Sequence, residues 1–442
     1  MGAQVEEQMR KFRLAAPLMT AVLVLAACGN GDDPGDGGED LPEGDGAILV
    51  TSLWGGAEEA AFQEVLAAFE ENSDIDVTYE ANRTDYQSVI RTRLQGGNPF
   101  DVAIVPGIAF FRQLALEDAL IPLSDLGIEL SDIEGQFAPG LLDYGNVDDV
   151  QYGFMAKLNG KASIFYSPER FEDLGVAPVE TWDDLVQLTE DIKAADATPW
   201  AVGAGDSWTL TDWFEIMYIK EHGVEAYDTL FSPDGDWTDP SVAATIDRMT
   251  SLVTDDNVVG GIDGALSVLF VDAVSEVFST SPSAEMYFGG SFVGGIATGV
   301  DVNPDLAGQE GEAIDWFPFP TIEGNGDGLV TFGGDQIAAM VADTDTAEFL
   351  EFMLSTEAAE VWAAQGTVYV PNTNVDPSTY PTIIMQKDAE LINSADAIRF
   401  DGSDLLPGTD LGALLQSALR GEDMGPILEE FQTATSTAWE SQ

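Results

Sequence analysis

The sequence predicts an α/β chain of two lobes, joined by a hinge of several crossings, with a ligand cleft between them. Short apolar runs alternate with segments of helical period, and this alternation starts twice, near Ile48 and near Lys161. After the second unit the chain returns to strand-like segments, which indicates that it crosses between the lobes more than once. The 442 residues allow two or three domains at about 150 residues each.

The first unit has the order strand, helix, strand, helix, strand. Its first helix carries Ala61, Val65 and Phe69 on one apolar face, as expected of a helix that packs on a sheet. Right-handed crossovers between parallel strands leave the carboxyl ends of the strands at one edge, where ligands bind. Trp54 follows the first strand at that edge. The five elements are predicted at 48–53, 58–71, 75–79, 85–95 and 101–105.

The second unit begins with a strand at 162–166 and a helix that the hydroxyl of Thr181 can cap. Further helices are predicted near 209–221, 240–254 and 265–278, strands at 286–296, 314–319 and 334–342, and mostly helix in the remainder. This order assigns residues to two lobes, an N-terminal lobe of 47–157 plus about 286–333 and a C-terminal lobe of 158–285 plus about 334–442.

The N-terminus has the features of an export signal, because residues 1–27 combine a basic start with an apolar stretch too short to span a bilayer. The signal ends in Leu25-Ala26-Ala27-Cys28, which resembles a lipobox, and Cys28 is the one cysteine of the chain. An ordinary signal peptide is the alternative, and either Met1 or Met9 could be the start. Residues 28–46 are rich in Gly, Asp, Glu and Pro, which predicts a disordered, lipid-anchored linker. We therefore expect the protein on the outer face of the cell membrane.

Acidic residues dominate the chain, with 79 Asp and Glu against 16 Lys and Arg and a formal charge of −63. Nucleic acid binding needs a basic footprint and is excluded. One His and one Cys exclude a histidine-rich metal centre and a disulfide framework, and we expect no metal or cofactor. The leader, residues 1–27, carries a net charge of +1, and the linker, residues 28–46, contains seven acidic residues. The remaining residues, 47–442, therefore still carry a net charge of −57. A saline habitat is one interpretation of this surface, and an acid-biased genome is the other.

A series of motifs gives the chain a family resemblance. Tyr166, Pro168 and Phe171, followed by Gly175 and by Thr181-Trp182-Asp183-Asp184-Leu185, resemble a signature of the extracellular solute-binding proteins of carbohydrate ABC importers. Other segments resemble the α-glucoside-type branch of that family, among them Asp143-Tyr144-Gly145, Thr198-Pro199-Trp200, Phe317-Pro318-Phe319-Pro320, Gly333-Gly334-Asp335 and Arg399-Phe400-Asp401-Gly402.

The resemblance implies a fold, a ligand and partners. The implied fold is bilobal and periplasmic-binding-protein-like, with a sugar expected in the cleft between the lobes. The resemblance also implies that the closed complex is delivered to ABC permease subunits in the membrane. The resemblance further implies a protein that is not an enzyme, and we expect a monomer.

A sugar-binding site needs aromatic rings for the flat C–H faces of the sugar and charged or amide groups for its hydroxyls. Indole and phenyl rings near strand ends and the charged groups beside them are the candidates, although each Trp could equally be a core residue. Gly334 would let the backbone approach the ligand closely. The candidate ligand-binding residues are Trp54, Lys157, Trp208, Asp212, Trp213, Tyr287, Ser291, Phe292, Gly334, Asp335 and Arg399.

Two other function classes are kept as alternatives, a secreted glycoside hydrolase and a cell-surface carbohydrate-adhesion module. A Ser-His-Asp hydrolase would have to use His222, the one histidine, which lies at an apparent helix end. The paired carboxylates of a glycosidase cannot be identified among 79 acids. A calcium loop beginning at Asp301 is disfavoured, because it lacks the turn glycine and contains Pro304.

Overall fold

The computed structural model describes residues 41–299 and 302–441. The strands are β1 (Ala47–Ser52), β2 (Asp76–Ala81), β3 (Val102–Pro106), β4 (Asn146–Val147), β5 (Val150–Gln151), β6 (Gly153–Gly160), β7 (Ser163–Tyr166), β8 (Trp200–Ala201), β9 (Met286–Gly289), β10 (Asp315–Pro318), β11 (Leu329–Ala339) and β12 (Ala397–Phe400). The helices are α1 (Ala57–Asn72), α2 (Tyr86–Gln95), α3 (Ile108–Leu116), α4 (Leu130–Ile133), α5 (Pro168–Leu174), α6 (Trp182–Ala194), α7 (Trp208–Leu230), α8 (Pro240–Leu252), α9 (Gly261–Ala265), α10 (Phe270–Phe278), α11 (Val293–Ala297), α12 (Thr344–Leu354), α13 (Thr356–Gln365), α14 (Ile383–Ser394), α15 (Gly402–Leu405), α16 (Leu411–Leu419) and α17 (Met424–Trp439).

The first lobe is built on a sheet in which β1 lies between β2 and β3 and is parallel to both. β11 runs antiparallel to β3 and β6, and its first residues run parallel to β12. Val50 of β1 and Phe62 and Val65 of α1 are fully buried in one core cluster, because the apolar face of the helix covers the sheet. The strand–helix alternation that the sequence predicts for this unit is confirmed, with boundaries shifted by a few residues.

The second lobe has its own sheet, in the order β10-β7-β9-β8. β7 is antiparallel to both β10 and β9, while β8 is parallel to β9 at the edge. Thr181 caps α6 as predicted, since its hydroxyl accepts from the backbone N–H of Asp184 at 3.2 Å. The first half of the long helix α7 is buried on every side, since four successive residues, Leu210, Thr211, Asp212 and Trp213, are all buried, which places this half in the centre of the lobe.

Three crossings connect the lobes and lie side by side. The first runs from β6 to β7, the second enters β11, and the third follows β12. In the first two crossings, the N–H of Lys161 donates to the carbonyl of Thr331 at 2.8 Å, and the hydroxyl of Thr331 donates to the carbonyl of Lys161 at 2.9 Å. The N–H of Asp401 in the third crossing donates to the carbonyl of Phe332 at 2.9 Å. These bonds join the crossings into one hinge.

The strand pairing corrects the lobe assignment of the returning segments. Residues 286–289 form β9, which pairs with β7 and β8 in the second lobe, and β10 also pairs with β7. Residues 334–339 belong to β11, which pairs with β3 in the first lobe. The assignment of about 286–333 and about 334–442 is therefore reversed over these strands. Pairing partners depend on tertiary contacts, which the local pattern of apolar residues does not encode.

Local predictions also need correction. The strand expected at 286–296 ends at Gly289, and α11 begins at Val293. The last residues of the expected linker, 41–46, lie against the start of α12, where the N–H of Gly46 donates to the Asp345 carboxylate at 2.7 Å. Residues 1–40, with the predicted signal and Cys28, lie outside the described residues. None of the helices within 41–299 and 302–441 is long and apolar enough to cross a membrane.

Candidate ligand-binding cleft

A cleft of about 640 Å³ lies where the two lobes face each other. The volume is in the range of sites for drug-sized ligands. The first lobe lines the cleft with polar and small residues, Glu58, Asn159, Gly366, Thr367 and Tyr369. The second lobe lines it with aromatic, apolar and small residues, Trp208, Phe270, Ser291, Phe292, Gly294, Gly295, Ile296 and Thr298. Glu310 and the start of α14, with Thr382, Ile384 and Met385, complete the lining.

Three aromatic rings form the second-lobe wall. Trp208 begins α7 and is half-buried. Its ring centroid lies 5.1 Å from that of Phe270 and 6.0 Å from that of Phe292, and both pairs meet edge to face. This geometry is favourable between aromatic rings and holds each of them in place. The wall therefore offers a rigid apolar surface to a ligand.

A network of four residues lies behind the first-lobe wall, and we name it the first-lobe network (Trp54, Glu58, Lys157 and Asp335). The indole N–H of Trp54 donates to the Asp335 carboxylate at 2.7 Å. The Lys157 ammonium lies 3.4 Å from Asp335 and donates to Glu58 at 2.5 Å. Burial lowers the pKa of Lys157, but its ion pairs with Asp335 and Glu58 outweigh burial and hold the pKa above its usual value.

Only one member of the first-lobe network lines the cleft. Trp54 is 4% exposed and packs against Phe62 and Trp362, so that its ring is part of the first-lobe core. The side chain of Glu58, in the first turn of α1, is 42% exposed. The carboxylate that this lobe offers to a ligand is thus Glu58, oriented by Lys157 from behind.

A second network lies at the hinge, and we name it the hinge cluster (Lys161, Asp212, Glu215 and Asp401). Asp212 is 2% exposed, and it accepts a hydrogen bond from the Lys161 ammonium at 2.9 Å. The same ammonium also donates to Asp401. Asp212 therefore binds the hinge lysine and does not line the cleft.

The remaining predicted residues divide into three groups. Ser291 and Phe292 line the cleft together with Trp208. Trp213 packs against Trp200, Phe288 and Phe319 inside the second lobe. Tyr287 is buried in a neighbouring core, and burial raises the pKa of its hydroxyl. Gly334 and Arg399 lie at other contacts and do not line the cleft.

Each of these two residues has a structural partner. A Cβ at Gly334 would lie 2.3 Å from the carbonyl oxygen of Lys157, so glycine is needed for the pairing of β11 with β6. Arg399 donates two hydrogen bonds to the Asp228 carboxylate, at 2.6 and 2.9 Å. This ion pair joins β12 to α7.

Sequence reasoning missed several lining residues, among them Glu58, Asn159, Phe270, Thr367 and Tyr369. Glu58 had an available signal, because it lies four residues after Trp54 at the start of a predicted helix. Asn159 had another, because it lies two residues before Lys161, near which the second strand–helix unit begins. Phe270 and Tyr369 had none, since nothing in their local sequence separates them from core aromatic residues. For calcium, the described part of the chain contains no cluster of carboxylates that could hold a metal ion, and Asp301 lies outside it.

Comparisons with known proteins agree with this architecture. The alpha-glucosides-binding periplasmic protein AglE of Rhizobium meliloti is 31% identical over 373 residues, which cover 82% of this chain and 80% of that protein. The osmoprotective compounds-binding protein GgtB of Synechocystis sp. is 28% identical over 405 residues, which cover 90% and 92%.

Solved structures share the fold. The bacterial solute receptor AcbH matches with a TM-score of 0.72 at 18% identity, covering 90% of this chain and 99% of that one. The apo-form of RafE from Streptococcus pneumoniae matches with a TM-score of 0.71 at 17% identity, covering 89% and 97%. These matches confirm the predicted bilobal α/β fold.

The family assignment rests on a profile described as bacterial extracellular solute-binding protein, which matches residues 55–360. Together with the relatives, this match confirms the resemblance drawn from the sequence motifs. The relatives are solute-binding proteins and not enzymes, which removes the glycoside hydrolase alternative. The chain belongs to the family of bacterial extracellular solute-binding proteins.

Proposed function

We propose that this protein is the sugar-binding subunit of an ABC importer and that it captures an α-glucoside or a related oligosaccharide. The observation that supports this most is the pairing of two unlike walls across one cleft. Three aromatic rings of the second lobe line the cleft together with Glu58, Asn159 and Thr367 of the first, which carry a carboxylate, an amide and a hydroxyl. A sugar has the matching surfaces, because it combines flat C–H faces with an edge of hydroxyls.

Each wall has a defined role in capture. The indole of Trp208 stacks on a C–H face, and Phe270 and Phe292 keep the indole from turning. Glu58 accepts hydrogen bonds from sugar hydroxyls, and such bonds to a charged acceptor are stronger than neutral ones. Lys157 orients Glu58 and neutralises part of its charge.

Capture is completed by lobe closure about the hinge. A ligand drives closure only as far as it binds the closed state better than the open one. The two walls come from different lobes, so a ligand that touches both favours closure. We propose that the closed complex then docks on the permease subunits of the importer, as the resemblance implies.

We further propose that the mature protein is a monomer that is anchored to the membrane by a lipid on Cys28. Membership of an extracellular family means that the protein acts outside the cytoplasm. Growth of the host with labelled palmitate tests the anchor. Label in the wild-type protein and none in Cys28→Ser is the expected result, and equal labelling of both contradicts the anchor.

Calorimetry tests sugar binding directly. The mature chain with Cys28→Ser is titrated in high salt with maltose, trehalose, sucrose and glucose. We expect heat of binding with at least one glucoside and no cleavage of any sugar after long incubation. No heat with any of the four sugars contradicts the proposed ligand class, and release of glucose contradicts a binding role.

A second ligand class, osmoprotective compounds, is favoured by two observations. Residues 47–442 carry −57, which fits a saline habitat, and the relative from Synechocystis bears that ligand class in its name. Titrations with maltose and with glycine betaine, an osmoprotective compound that contains no glucosyl group, distinguish the two classes. Binding of glycine betaine without binding of maltose supports the second class.

A further inference from the structure

The hinge cluster brings charged groups from separate parts of the chain into one buried site. Lys161 belongs to the first crossing and Asp401 to the third, while Asp212 and Glu215 come from α7 of the second lobe. Glu215 accepts hydrogen bonds from the backbone N–H groups of Gly402, at 3.0 Å, and Ser403, at 2.9 Å. The second lobe therefore binds the third crossing through the same cluster that contains the hinge lysine.

The charges of the hinge cluster do not balance. Three carboxylates surround one ammonium, and Asp212 and Asp401 are 2% and 4% exposed. One carboxylate oxygen of each, Oδ2 of Asp212 and Oδ1 of Asp401, has no hydrogen-bond partner among the described residues. Buried carboxylate oxygens without partners are costly, so the cluster is sensitive to any change in its charge.

The hinge cluster also reaches the cleft. The Lys161 ammonium lies 5.4 Å from the centroid of the Trp208 ring, within the range of a cation–π interaction. Trp208 and Asp212 are one helical turn apart on α7, so both face the same lysine. One ammonium thus touches a carboxylate of the third crossing, a carboxylate of α7 and the indole of the cleft wall.

We propose that Lys161, held by Asp212 and Asp401, is a positioning residue for Trp208, which sets the indole against the ligand when the three crossings are drawn together. The inference rests on the proposed function, since it deepens the role of the same cleft. In this proposal Asp212 holds Lys161 in place and does not contact the ligand. Lys161 and Asp401 themselves touch no ligand.

The charge imbalance gives this role a pH dependence. The groups that face Lys161 and Glu215 are Asp212, Tyr227, Asp401 and Asp404. Burial, and then the neighbouring Asp212, raise the pKa of Glu215 to about 7. Below that pH the cluster carries one negative charge fewer and stays compact. Loss of the proton adds repulsion, so we expect ligand affinity to fall as the pH rises from 6 to 8, by at most about tenfold per pH unit.

A double-mutant cycle tests positioning against a merely structural role. Lys161→Met, Trp208→Phe and the double variant are titrated with a sugar that wild type binds, and Lys193→Met on the surface of α6 is the matched control. We expect Lys161→Met to weaken binding by about tenfold, Lys161→Arg to restore most of it, and the control to match wild type. In the Trp208→Phe background the effect of Lys161→Met should shrink to less than about threefold, because the two side chains act together. Equal effects in both backgrounds overturn the proposal.

Two further measurements keep the proposal testable if Lys161→Met folds poorly. The first is calorimetry of wild type and of the nearly isosteric Asp401→Asn in buffers of different ionisation enthalpy. Proton uptake on binding near pH 7 by wild type, reduced in Asp401→Asn, supports the proposal, and no proton uptake by wild type overturns it.

The second measurement needs no ligand. The fluorescence difference between wild type and Trp208→Phe reports the surroundings of one indole among nine tryptophans. We expect this difference to change through pH 7, and a flat profile contradicts the proposal. Absence of sugar binding by wild type would count against the proposed function alone, because this profile still tests the hinge cluster.

Discussion

Two largely buried lysines, Lys157 and Lys161, whose side chains are 8% and 13% exposed, differ in their surroundings. Lys157 and Lys161 each pair with two carboxylates, and each lies near an indole ring, at 5.1 Å from Trp54 and 5.4 Å from Trp208. The indole of Trp54 belongs to a core, while that of Trp208 lines the cleft. Conversely, Lys157 reaches a carboxylate of the cleft, while both partners of Lys161 are buried.

The difference shows that similar lysine–carboxylate ion pairs can have different roles in one protein. The first-lobe network ends at a half-exposed Glu58 and offers a hydrogen-bond acceptor to a ligand. The hinge cluster is largely buried and does not line the cleft, but it joins the crossings, and its lysine lies 5.4 Å from the centroid of the Trp208 ring. The role depends on whether the carboxylate that pairs with the lysine is exposed to the cleft, as Glu58 is, or buried, as Asp212 and Asp401 are.

The largest effect expected from the comparison is on stability. Lys161→Met should lower the free energy of unfolding by about 3–5 kcal/mol, because Asp212 and Asp401 remain buried without their cation. Lys157→Met should cost less, since Glu58 can turn to water. Urea unfolding of both variants, with Lys193→Met as control, measures the order. A larger loss for Lys157→Met would contradict the comparison.

Asp388 extends the comparison to a buried carboxyl that hydrogen-bonds hydroxyl groups instead of an amine. Tyr369 donates to it at 2.8 Å and Ser163 at 3.4 Å, and burial raises its pKa to about 7. Because the pKa of Asp388 is higher in the folded state than in the unfolded state, protonation of Asp388 stabilises the fold. This stabilisation is complete below the unfolded-state pKa near 4, and it is lost as the pH rises through the folded-state pKa near 7. Between pH 5 and 8 the free energy of unfolding should fall by about 2–3 kcal/mol more in wild type than in Asp388→Asn. Parallel urea titrations of the two proteins would reject this if the pH slopes coincide.

The third prediction concerns the exposed end of the first-lobe network. Glu58→Gln should weaken sugar binding by about 1.5 kcal/mol, because a charged acceptor is replaced by a neutral one. Glu59→Gln is the matched control, since Glu59 lies in the same helical turn with the same charge but does not line the cleft. Calorimetry measures both affinities, and equal losses would move the acceptor elsewhere.

For the acidic surface we expect a moderate effect of salt on the melting temperature. This effect distinguishes the exposed carboxylates from the buried ion pairs. Repulsion among exposed carboxylates is screened by salt, whereas buried pairs are screened far less. The melting temperature should rise by roughly 5 °C between dilute buffer and molar KCl. A flat profile would refute the interpretation of a saline habitat.

The smallest effect is expected for the ion pair of Arg399 with Asp228, which has one half-exposed partner. The side chain of Asp228 is 47% exposed, and pairs of this kind contribute at most about 1 kcal/mol. Arg399→Ala should cost less than about 1 kcal/mol of stability and leave sugar affinity unchanged. A tenfold loss of affinity would restore Arg399 to the ligand site.

Particular residues show how far sequence reasoning reached. The motif around Trp182 indicated the family, and the pattern of the first unit predicted β1 to β3 with their helices, because both signals are local in the chain. Among the predicted site residues, Trp208, Ser291 and Phe292 do line the cleft. Trp213 and Tyr287 do not, since a buried aromatic residue of the core has the same local sequence character as one at a cleft.

The sequence by itself determined the acidity of the folded body, the family and the alternation of strands and helices in each unit. Only the tertiary structure decided which strands return to which lobe, which of the two lysines contacts a carboxylate that lines the cleft, and which indole lines the cleft. The physical reason is that composition and periodicity act over a few residues, whereas β11 and the three crossings bring together groups as distant as Lys161 and Asp401.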